Sequence, residues 1–217
     1  MSVLDTGLGR YFSVAALRAL RSVHVGVIGA GGLGSNLALM LARSGIRRMT
    51  IADPDSVEPS NLNRQAYFPE DVGASKVAAL ARHLLLLEPC MQLVLHELAI
   101  TRANARCLFD ACPVVVEAVD LAETKIMLYE LFAPDKDLYV TASGLAGFGK
   151  EAAMVCRRPR PNVAAVGDFV SAVGPSLPPF APRVVQAAAM QADAVLDYIV
   201  SSVTSLEGHN EKSISED

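Results

Sequence analysis

The stretch VHVGVIGAGGLGS, residues 23–35, decides the fold of this 217-residue chain. A short apolar run leads into closely spaced glycines, and a segment with the composition of a helix follows. Gly29, Gly31 and Gly34 fit the pattern G-x-G-x-x-G, with Gly32 as an extra glycine. Between a strand and a helix, such a turn lets backbone N–H groups approach a phosphate at the helix N-terminus. It therefore predicts nucleotide binding, without distinguishing NAD, FAD and ATP.

Strands and helices alternate along the rest of the chain. Strands are expected at residues 23–28, 47–53, 91–98, 113–120 and 137–143, with a further candidate at 152–157. Helices are expected at residues 35–45, 75–89, 122–133 and 181–203. The near-continuous apolar strands predict a Rossmann-like, doubly wound α/β fold, with a mostly parallel sheet covered by helices on both faces. We divide the chain into an N-terminal helical segment (1–22), a single domain (23–206) and a polar, flexible tail (207–217).

The charge and the apolar content of the chain argue against several classes of protein. With 19 Lys and Arg against 23 Asp and Glu, the formal charge is −4, which argues against a general binder of nucleic acid or membrane surfaces. No apolar run approaches the roughly 20 residues of a membrane helix, and no secretion signal is evident. We therefore expect a cytoplasmic protein. Its 52% hydrophobic content indicates a heavily covered sheet or an oligomer interface.

The four cysteines offer no metal site in the sequence. Cys90, Cys107, Cys112 and Cys156 form no CxxC pair, so we predict no zinc. Scattered cysteines of this kind are expected to be buried, small apolar residues.

Acids and cations cluster after the second strand. Asp53 ends that strand, where an acid can bind ribose hydroxyls, and Asp55 follows as a further nucleotide-binding candidate. Arg64 lies in the polar stretch SNLNRQ, residues 60–65. Lys76 falls in the first turn of its helix, where the helix dipole disfavours a cation unless a phosphate is bound there. The alternative is that these cations are solvated surface charges.

Two carboxylates belong to the apolar stretch VVVEAVD. Asp120 ends the stretch at the ligand-binding edge of the sheet, where it could bind Mg²⁺ or cap the following helix. Glu117 lies inside the predicted strand and needs a partner, so structural pairing and support of the site are equally open for it. Together with Arg64 and Lys76, Asp120 favours nucleoside triphosphate chemistry over nicotinamide chemistry.

The stretches GAGGLGS, DPDSVEPSNLNRQ, GASK and EAVD, in this order and at these gaps, resemble the ThiF/MoeB/HesA family of prokaryotic relatives of ubiquitin-activating enzymes. The likeness runs from about residue 10 to 205. Later stretches, such as ASGLAGFG and APRVVQAAAMQADAVL, resemble a short thiamine-biosynthesis ThiF-like subgroup.

The resemblance implies an ATP- and Mg²⁺-dependent adenylyltransferase. Such an enzyme activates the C-terminal glycine carboxylate of a ThiS-like sulfur carrier as an acyl-adenylate, releases pyrophosphate and works as a homodimer. By the resemblance, Asp53 holds the ribose and Asp120 binds Mg²⁺. The groups implied at the phosphates, with Gln65 supporting their loop, are Asn61, Arg64, Lys76 and the glycine turn from Gly29 to Gly34. Arg64, Lys76 and Asp120 are the catalytic candidates.

The N-terminus departs from the family pattern. The family motif R-Y-x-R reads RYFS here, with Ser13 in place of the second Arg, for which Arg10 or Arg18 could substitute. Cys156 near CRRPRPN lacks an evident base and is a weak candidate nucleophile. The alternatives are a nucleotide-binding partner protein with little catalysis and an adenylating tRNA-nucleoside dehydratase relative. An NAD oxidoreductase is a more distant alternative.

Overall fold

The computed structural model describes residues 2–149 and 153–214, with side chains as far as residue 202. The strands in these residues are β1 (His24–Ile28), β2 (Arg48–Ala52), β3 (Gln92–His96), β4 (Val114–Glu117), β5 (Leu138–Ala142), β6 (Val155–Arg160) and β7 (Val163–Gly167). The α-helices are α1 (Val3–Leu8), α2 (Val14–Ser22), α3 (Gly32–Arg43), α4 (Lys76–Leu87), α5 (Ala105–Phe109), α6 (Ala122–Phe132) and α7 (Ala181–Ile214). None of the helices in the described residues has the length and apolar character needed to cross a membrane.

All the strands belong to one sheet, in the order β3-β2-β1-β4-β5-β7-β6. Every neighbouring pair is parallel except β7 and β6. The strand order reverses between β1 and β4, so the carboxyl ends of these two strands form the crevice in which doubly wound folds bind ligands. The predicted Rossmann-like, single-domain α/β fold is confirmed.

Alternation along the strands divides the core between two faces. Val114 and Val116 of β4 pack with α3, α4 and α7, whereas Val115 packs with α5 and α6. All three are fully buried, as expected for a parallel strand covered on both sides. The apolar run in the sequence therefore reflects two layers of helices.

The structure differs from the sequence expectations at several boundaries. β4 ends at Glu117, three residues before Asp120, and α3 begins at Gly32, so the glycine turn overlaps the first turn of the helix. β7 and α5 were not predicted; β7 follows the edge strand β6 after only two residues, directly behind a proline- and arginine-rich stretch. The predicted strand at 152–157 begins at Val155, and its first residue lies outside the described part.

The two ends of the chain contain more helix than expected. Residues 1–22 hold two helices, α1 and α2, and Leu17 and Leu20 of α2 are buried. α7 continues past residue 203 to Ile214. The expected flexibility of residues 207–217 concerns side chains outside the described part and stays a prediction.

Charged side chains fasten α1 to the domain. The Asp5 carboxylate accepts hydrogen bonds from Arg21 at 2.8 Å and Arg47 at 2.5 Å, and Arg47 also reaches Glu88 at 3.1 Å. Burial raises the pKa of Asp5, but hydrogen bonds from Ser2 and Arg47 and the two positive charges outweigh it, so the net pKa is lowered. The pKa of Glu88 is lowered in the same way, with burial opposed by Ser2, Cys90 and Arg47.

These lowered pKa values predict acid-sensitive stability. The contribution is present above the ordinary values of 3.8 for Asp5 and 4.5 for Glu88, and it is lost as the pH falls through the lower folded values. Asp5→Asn should therefore reduce the free energy of unfolding by about 2 kcal/mol at pH 7 and by less at pH 3, where part of the contribution is already lost. Urea denaturation at both pH values measures this.

A matched control is Asp135→Asn, which removes the charge of an acid paired with Arg106. Both side chains of this pair are about half exposed. Because water screens such pairs, little change is expected. An equal loss at both pH values for Asp5→Asn would show that its charge does not matter.

Candidate functional site

The glycine turn joins β1 to α3 at the carboxyl edge of the sheet. Gly29 has a φ of +98°, and a Cβ on Gly34 would lie 1.8 Å from the Gly29 carbonyl oxygen. These two glycines are therefore required by the tightness of the turn itself. Gly31 differs, because the only heavy atom near a Cβ there is the Gln65 Nε2 at 3.9 Å. The turn is open at Gly31, where the first N–H groups of α3 are left without intrahelical acceptors.

The Asp53 carboxylate lies buried against this turn, directly after β2. It accepts hydrogen bonds from the backbone N–H of Ala30 at 2.7 Å and of Asp55 at 2.9 Å. Burial raises the pKa of Asp53, although both N–H groups and the nearby Lys76 oppose that shift. The acid predicted for the ribose is thus held in a fixed position beside the glycines.

The stretch SNLNRQ packs directly onto the same turn. The Asn36 side chain donates to the carbonyl oxygens of Gly32 at 2.7 Å and Arg64 at 2.9 Å, so one amide joins the two segments. The Tyr67 hydroxyl donates to the Ala30 carbonyl oxygen at 2.7 Å. Asn36 and Tyr67 were not predicted from the sequence; the signal for Asn36 was an amide in the first turns of an otherwise apolar helix.

Arg64 is brought to the N-terminus of α3. Its Cγ and Cδ lie 3.6 and 3.8 Å from the position of a Cβ on Gly32. Its guanidinium donates to the Ser60 carbonyl oxygen at 3.2 Å and to the Asn63 side chain at 2.8 Å. It forms no ion pair with any described residue, so its charge is available to an anion.

The two amides of the loop have different surroundings. Gln65 is 9% exposed, and its Oε1 has no hydrogen-bond partner in the described part of the chain. The Asn61 Oδ1 accepts from the Glu58 backbone N–H at 3.0 Å, so Asn61 shapes the loop. Its amide nitrogen has only a long contact to the Ser60 hydroxyl at 3.4 Å.

Lys76 lies in the first turn of α4, as predicted; it is the first residue of the helix and is buried. Its Nζ lies 2.6 Å from the Asp55 Oδ2 and 3.8 Å from the Asp53 Oδ1. The structure therefore brings both predicted acids and this cation into one group, in which Asp55 contacts the lysine.

Asp120 is exposed in the loop between β4 and α6. The N-cap of α6 is Leu121, with no side-chain capping bond, so the alternative that Asp120 caps the helix is wrong. Asp120 lies two residues after Ala118, whose carbonyl oxygen is 2.6 Å from the position of a Cβ on Gly29. This part of the loop therefore lies close to the glycine turn, and the role of Asp120 as a Mg²⁺ ligand stays a prediction.

Glu117 is fully buried and has structural partners. Its carboxylate accepts from the Lys125 ammonium at 2.8 Å and the Thr141 hydroxyl at 2.6 Å. Its backbone carbonyl oxygen accepts from the Gln191 side chain at 3.0 Å. These contacts join β4 to α6, β5 and α7, which supports the structural alternative for Glu117.

A buried ion pair that was not predicted from the sequence fixes the start of α7. Arg183 is hydrogen-bonded to Asp168, and both are buried. Burial raises the pKa of Asp168, but the N–H groups of Ser171 and Val170 and the Arg183 charge outweigh it and lower the pKa. The next residue, Val184, packs on the glycine turn, with its Cγ1 2.8 Å from the position of a Cβ on Gly32.

At the N-terminus, Ser13 caps α2 by accepting from the Ala16 N–H at 3.1 Å. Its side chain therefore has a local structural role where the family motif has its second Arg. Arg10 and Arg18 are both exposed, and neither forms an ion pair with a described residue.

The cysteine expectation was wrong for most of its members. Cys112 is buried, whereas Cys90, Cys107 and Cys156 are exposed. Cys156 lies on β6, which is an edge strand of the sheet formed by the described residues.

Sheet order, crevice and glycine turn together define a Rossmann-like α/β protein. The chain belongs to the ThiF family, whose family model matches residues 6–209. It is 37% identical over 127 residues to the adenylyltransferase and sulfurtransferase MOCS3 of Aedes aegypti, covering 58% of this chain and 29% of that protein. It is 30% identical over 143 residues to the tRNA threonylcarbamoyladenosine dehydratase of Haemophilus influenzae, covering 65% and 55%. The chain thus spans less than two thirds of the curated relatives that it matches.

Solved structures share the whole fold. The E. coli tRNA N6-threonylcarbamoyladenosine dehydratase TcdA in complex with AMP superposes with a TM-score of 0.82 over 92% of this chain and 95% of that chain, at 20% identity. The same enzyme in complex with ATP gives a TM-score of 0.78. At this level of identity, the likeness shows the fold.

The Asp168–Arg183 pair should be a large contributor to stability. Asp168→Ala leaves the buried Arg183 without its carboxylate and should reduce the free energy of unfolding by about 3 kcal/mol. The matched control is Asp197→Ala, which removes an exposed pairing with Arg158 and should have little effect. Urea denaturation compares them, and similar losses for the two variants would contradict the assignment.

Proposed function

We propose that the chain is an ATP-dependent adenylyltransferase acting on the C-terminal glycine carboxylate of a ThiS-like sulfur carrier. The observation that carries the proposal is the Asn36 amide, which bonds both Gly32 and Arg64 and so holds an arginine at the N-terminus of α3. The Arg64 side chain packs beside the first backbone N–H groups of the helix, with its Cγ 3.6 Å from the position of a Cβ on Gly32. Both kinds of donor are therefore within reach of a bound polyphosphate. ATP is also the ligand named for a ThiF-fold neighbour, TcdA.

Each site residue has a role that its position supports. The fixed Asp53 carboxylate suits the ribose hydroxyls, and the open backbone at Gly31 admits a phosphate. Arg64 needs only to exchange its contacts with Ser60 and Asn63 to reach that phosphate. Gln65 supports the loop, and its Nε2 lies 3.9 Å from the position of a Cβ on Gly31. Remaining groups assigned to the nucleotide are Gly29, Gly32, Gly34, Asp55, Asn61 and Lys76.

Mg²⁺ fits the exposed Asp120 carboxylate. The described residues contain no group of three or more acidic, histidine or cysteine side chains that could hold a metal. Mg²⁺ with ATP needs no such group, because it takes one or two carboxylates together with phosphate oxygens and water. When bound, it neutralises phosphate charge.

The reaction needs no protein nucleophile. A carrier carboxylate oxygen forms a bond to the α-phosphorus, and the bond from that phosphorus to the bridging oxygen breaks, so pyrophosphate leaves with the electron pair. Arg64 and Lys76 lower the barrier by stabilising the charge that develops on the phosphate oxygens. We further propose a homodimer in the cytoplasm, with thiamine biosynthesis as the pathway and no role for zinc.

A second candidate is adenylation of a modified tRNA nucleoside. It is favoured by the match to TcdA over nearly the full length of both chains and by the exposed strand β6, which carries Arg157, Arg158 and Arg160. Binding of tRNA with a steep salt dependence would favour this candidate, as would adenylation without a carrier protein.

Carrier-dependent ATP–pyrophosphate exchange tests the main proposal. Exchange should appear with ThiS-like proteins that end in Gly-Gly and vanish when that carboxylate is blocked. Arg64→Ala should reduce kcat/KM by about 100-fold, since it removes a charged donor from the transition state. Arg102→Ala, at an exposed ion pair with Glu130, is the control and should retain exchange. Normal ATP binding without exchange for any carrier would reject the adenylyltransferase assignment and leave a binding protein.

Gly31→Ala distinguishes an effect on nucleotide binding from an effect on the stability of the fold. The nearest heavy atom to the added methyl group is 3.9 Å away, so the melting temperature should change little. The methyl group should nevertheless weaken ATP binding by at least about tenfold, because it blocks close approach of a phosphate to the backbone. Isothermal titration calorimetry measures this. In contrast, Gly34→Ala should destabilise the fold, and unchanged ATP affinity in Gly31→Ala would place the phosphates elsewhere.

A further inference from the structure

Lys76 is already engaged by an acid that the proposed nucleotide chemistry does not need. Its Nζ is 2.6 Å from the Asp55 Oδ2, closer than the 3.8 Å to the Asp53 Oδ1. To bind phosphate oxygens, the Lys76 ammonium group must either leave Asp55 or contact Asp55 and a phosphate at the same time. Asp55 therefore competes with the nucleotide for this cation.

The backbone around this pair is held in place. The Lys76 N–H donates to the Asp55 carbonyl oxygen at 2.9 Å, and the Asp55 N–H donates to the Asp53 carboxylate at 2.9 Å. Ser56 and Ser75 form an isolated antiparallel bridge beside them. Release of the Lys76 side chain thus requires side-chain rotation and no rearrangement of the main chain.

Burial makes the contact asymmetric. The Lys76 side chain is 8% exposed and that of Asp55 is 61% exposed. The lysine also lies in the first turn of α4, where the helix dipole disfavours it. An acid nearby is needed to keep a buried ammonium charged, yet an acid so exposed to water binds it only weakly. Such a pair keeps the ammonium group in place but binds it weakly enough for a stronger anion to displace Asp55.

We propose that Asp55 is a positioning residue that holds the Lys76 ammonium beside Asp53 until the polyphosphate of a nucleotide displaces it. The inference rests on the proposed function, and it changes the role of Asp55 from a nucleotide ligand to a competitor of the nucleotide. Asp55 then sets the affinity for phosphorylated nucleotides and leaves the affinity for an uncharged nucleoside nearly unchanged.

Calorimetric titration of the full chain with ATP and with adenosine tests this. Asp55→Asn keeps the size and the backbone contacts of the residue but removes its charge. It should tighten ATP binding about two- to fivefold, the range expected for a pair with one partner largely exposed. Adenosine binding should change by less than about twofold, because adenosine has no phosphate to attract Lys76. Asp55→Glu should restore the wild-type affinity for ATP.

The effect must pass through Lys76. In a Lys76→Met background, the further change Asp55→Asn should no longer tighten ATP binding, which a double-mutant cycle measures as coupling between the two residues. Melting temperatures of all variants establish that they are folded. Weaker ATP binding in Asp55→Asn, equal effects on ATP and adenosine, or a gain that persists without Lys76 would each overturn the proposal.

Failure of the inference and of the proposed function can be told apart. Tighter ATP binding in Asp55→Asn with no carrier-dependent exchange in any variant would support the competition and reject the adenylyltransferase. Exchange in the wild type with no gain in ATP affinity for Asp55→Asn would support the adenylyltransferase and reject the competition by Asp55.

Discussion

The crevice depends on one set of contacts, the hydrogen bonds that two backbone N–H groups donate to the Asp53 carboxylate. One N–H belongs to Ala30 in the glycine turn and the other to Asp55 in the following loop. Since β1 and β2 are parallel neighbours, their carboxyl ends lie at the same edge of the sheet. One buried carboxylate can therefore accept hydrogen bonds from the segments that follow both strands. Its loss of solvation must be offset by these hydrogen bonds, which makes its position strongly determined.

The fold was predictable from the sequence because the signals are local. Apolar strands such as VVVE, the glycine turn and the periodicity of α4 each define one element, and short connections leave few topologies. β7 was not predicted because it is preceded by CRRPRP, which contains two prolines and three arginines. The edge position of β6 explains that composition, since charged residues and proline protect an exposed edge from pairing with other chains.

The candidate site was predictable only as a set of residues. Sequence order placed Asp53, Arg64 and Lys76 near one edge, but it could not show that Lys76 contacts Asp55. The Asp168–Arg183 pair illustrates the same limit, because an acid in a loop and a basic residue in a helix give no separate signal before the fold brings them together. Partners of buried charges depend on packing distances, which a single sequence does not contain.

The arrangement of charges explains how a site for a polyanion can exist in a chain with an excess of acids. Each cation of the crevice has a provisional partner in the described structure. The guanidinium of Arg64 is satisfied by neutral oxygens, and the ammonium of Lys76 by an exposed carboxylate. Neutral or water-exposed partners are weaker than a phosphate group as acceptors of charged hydrogen bonds. The free protein thus keeps both cations ordered at low cost, and the proposed nucleotide would gain more from each of them than their present partners do.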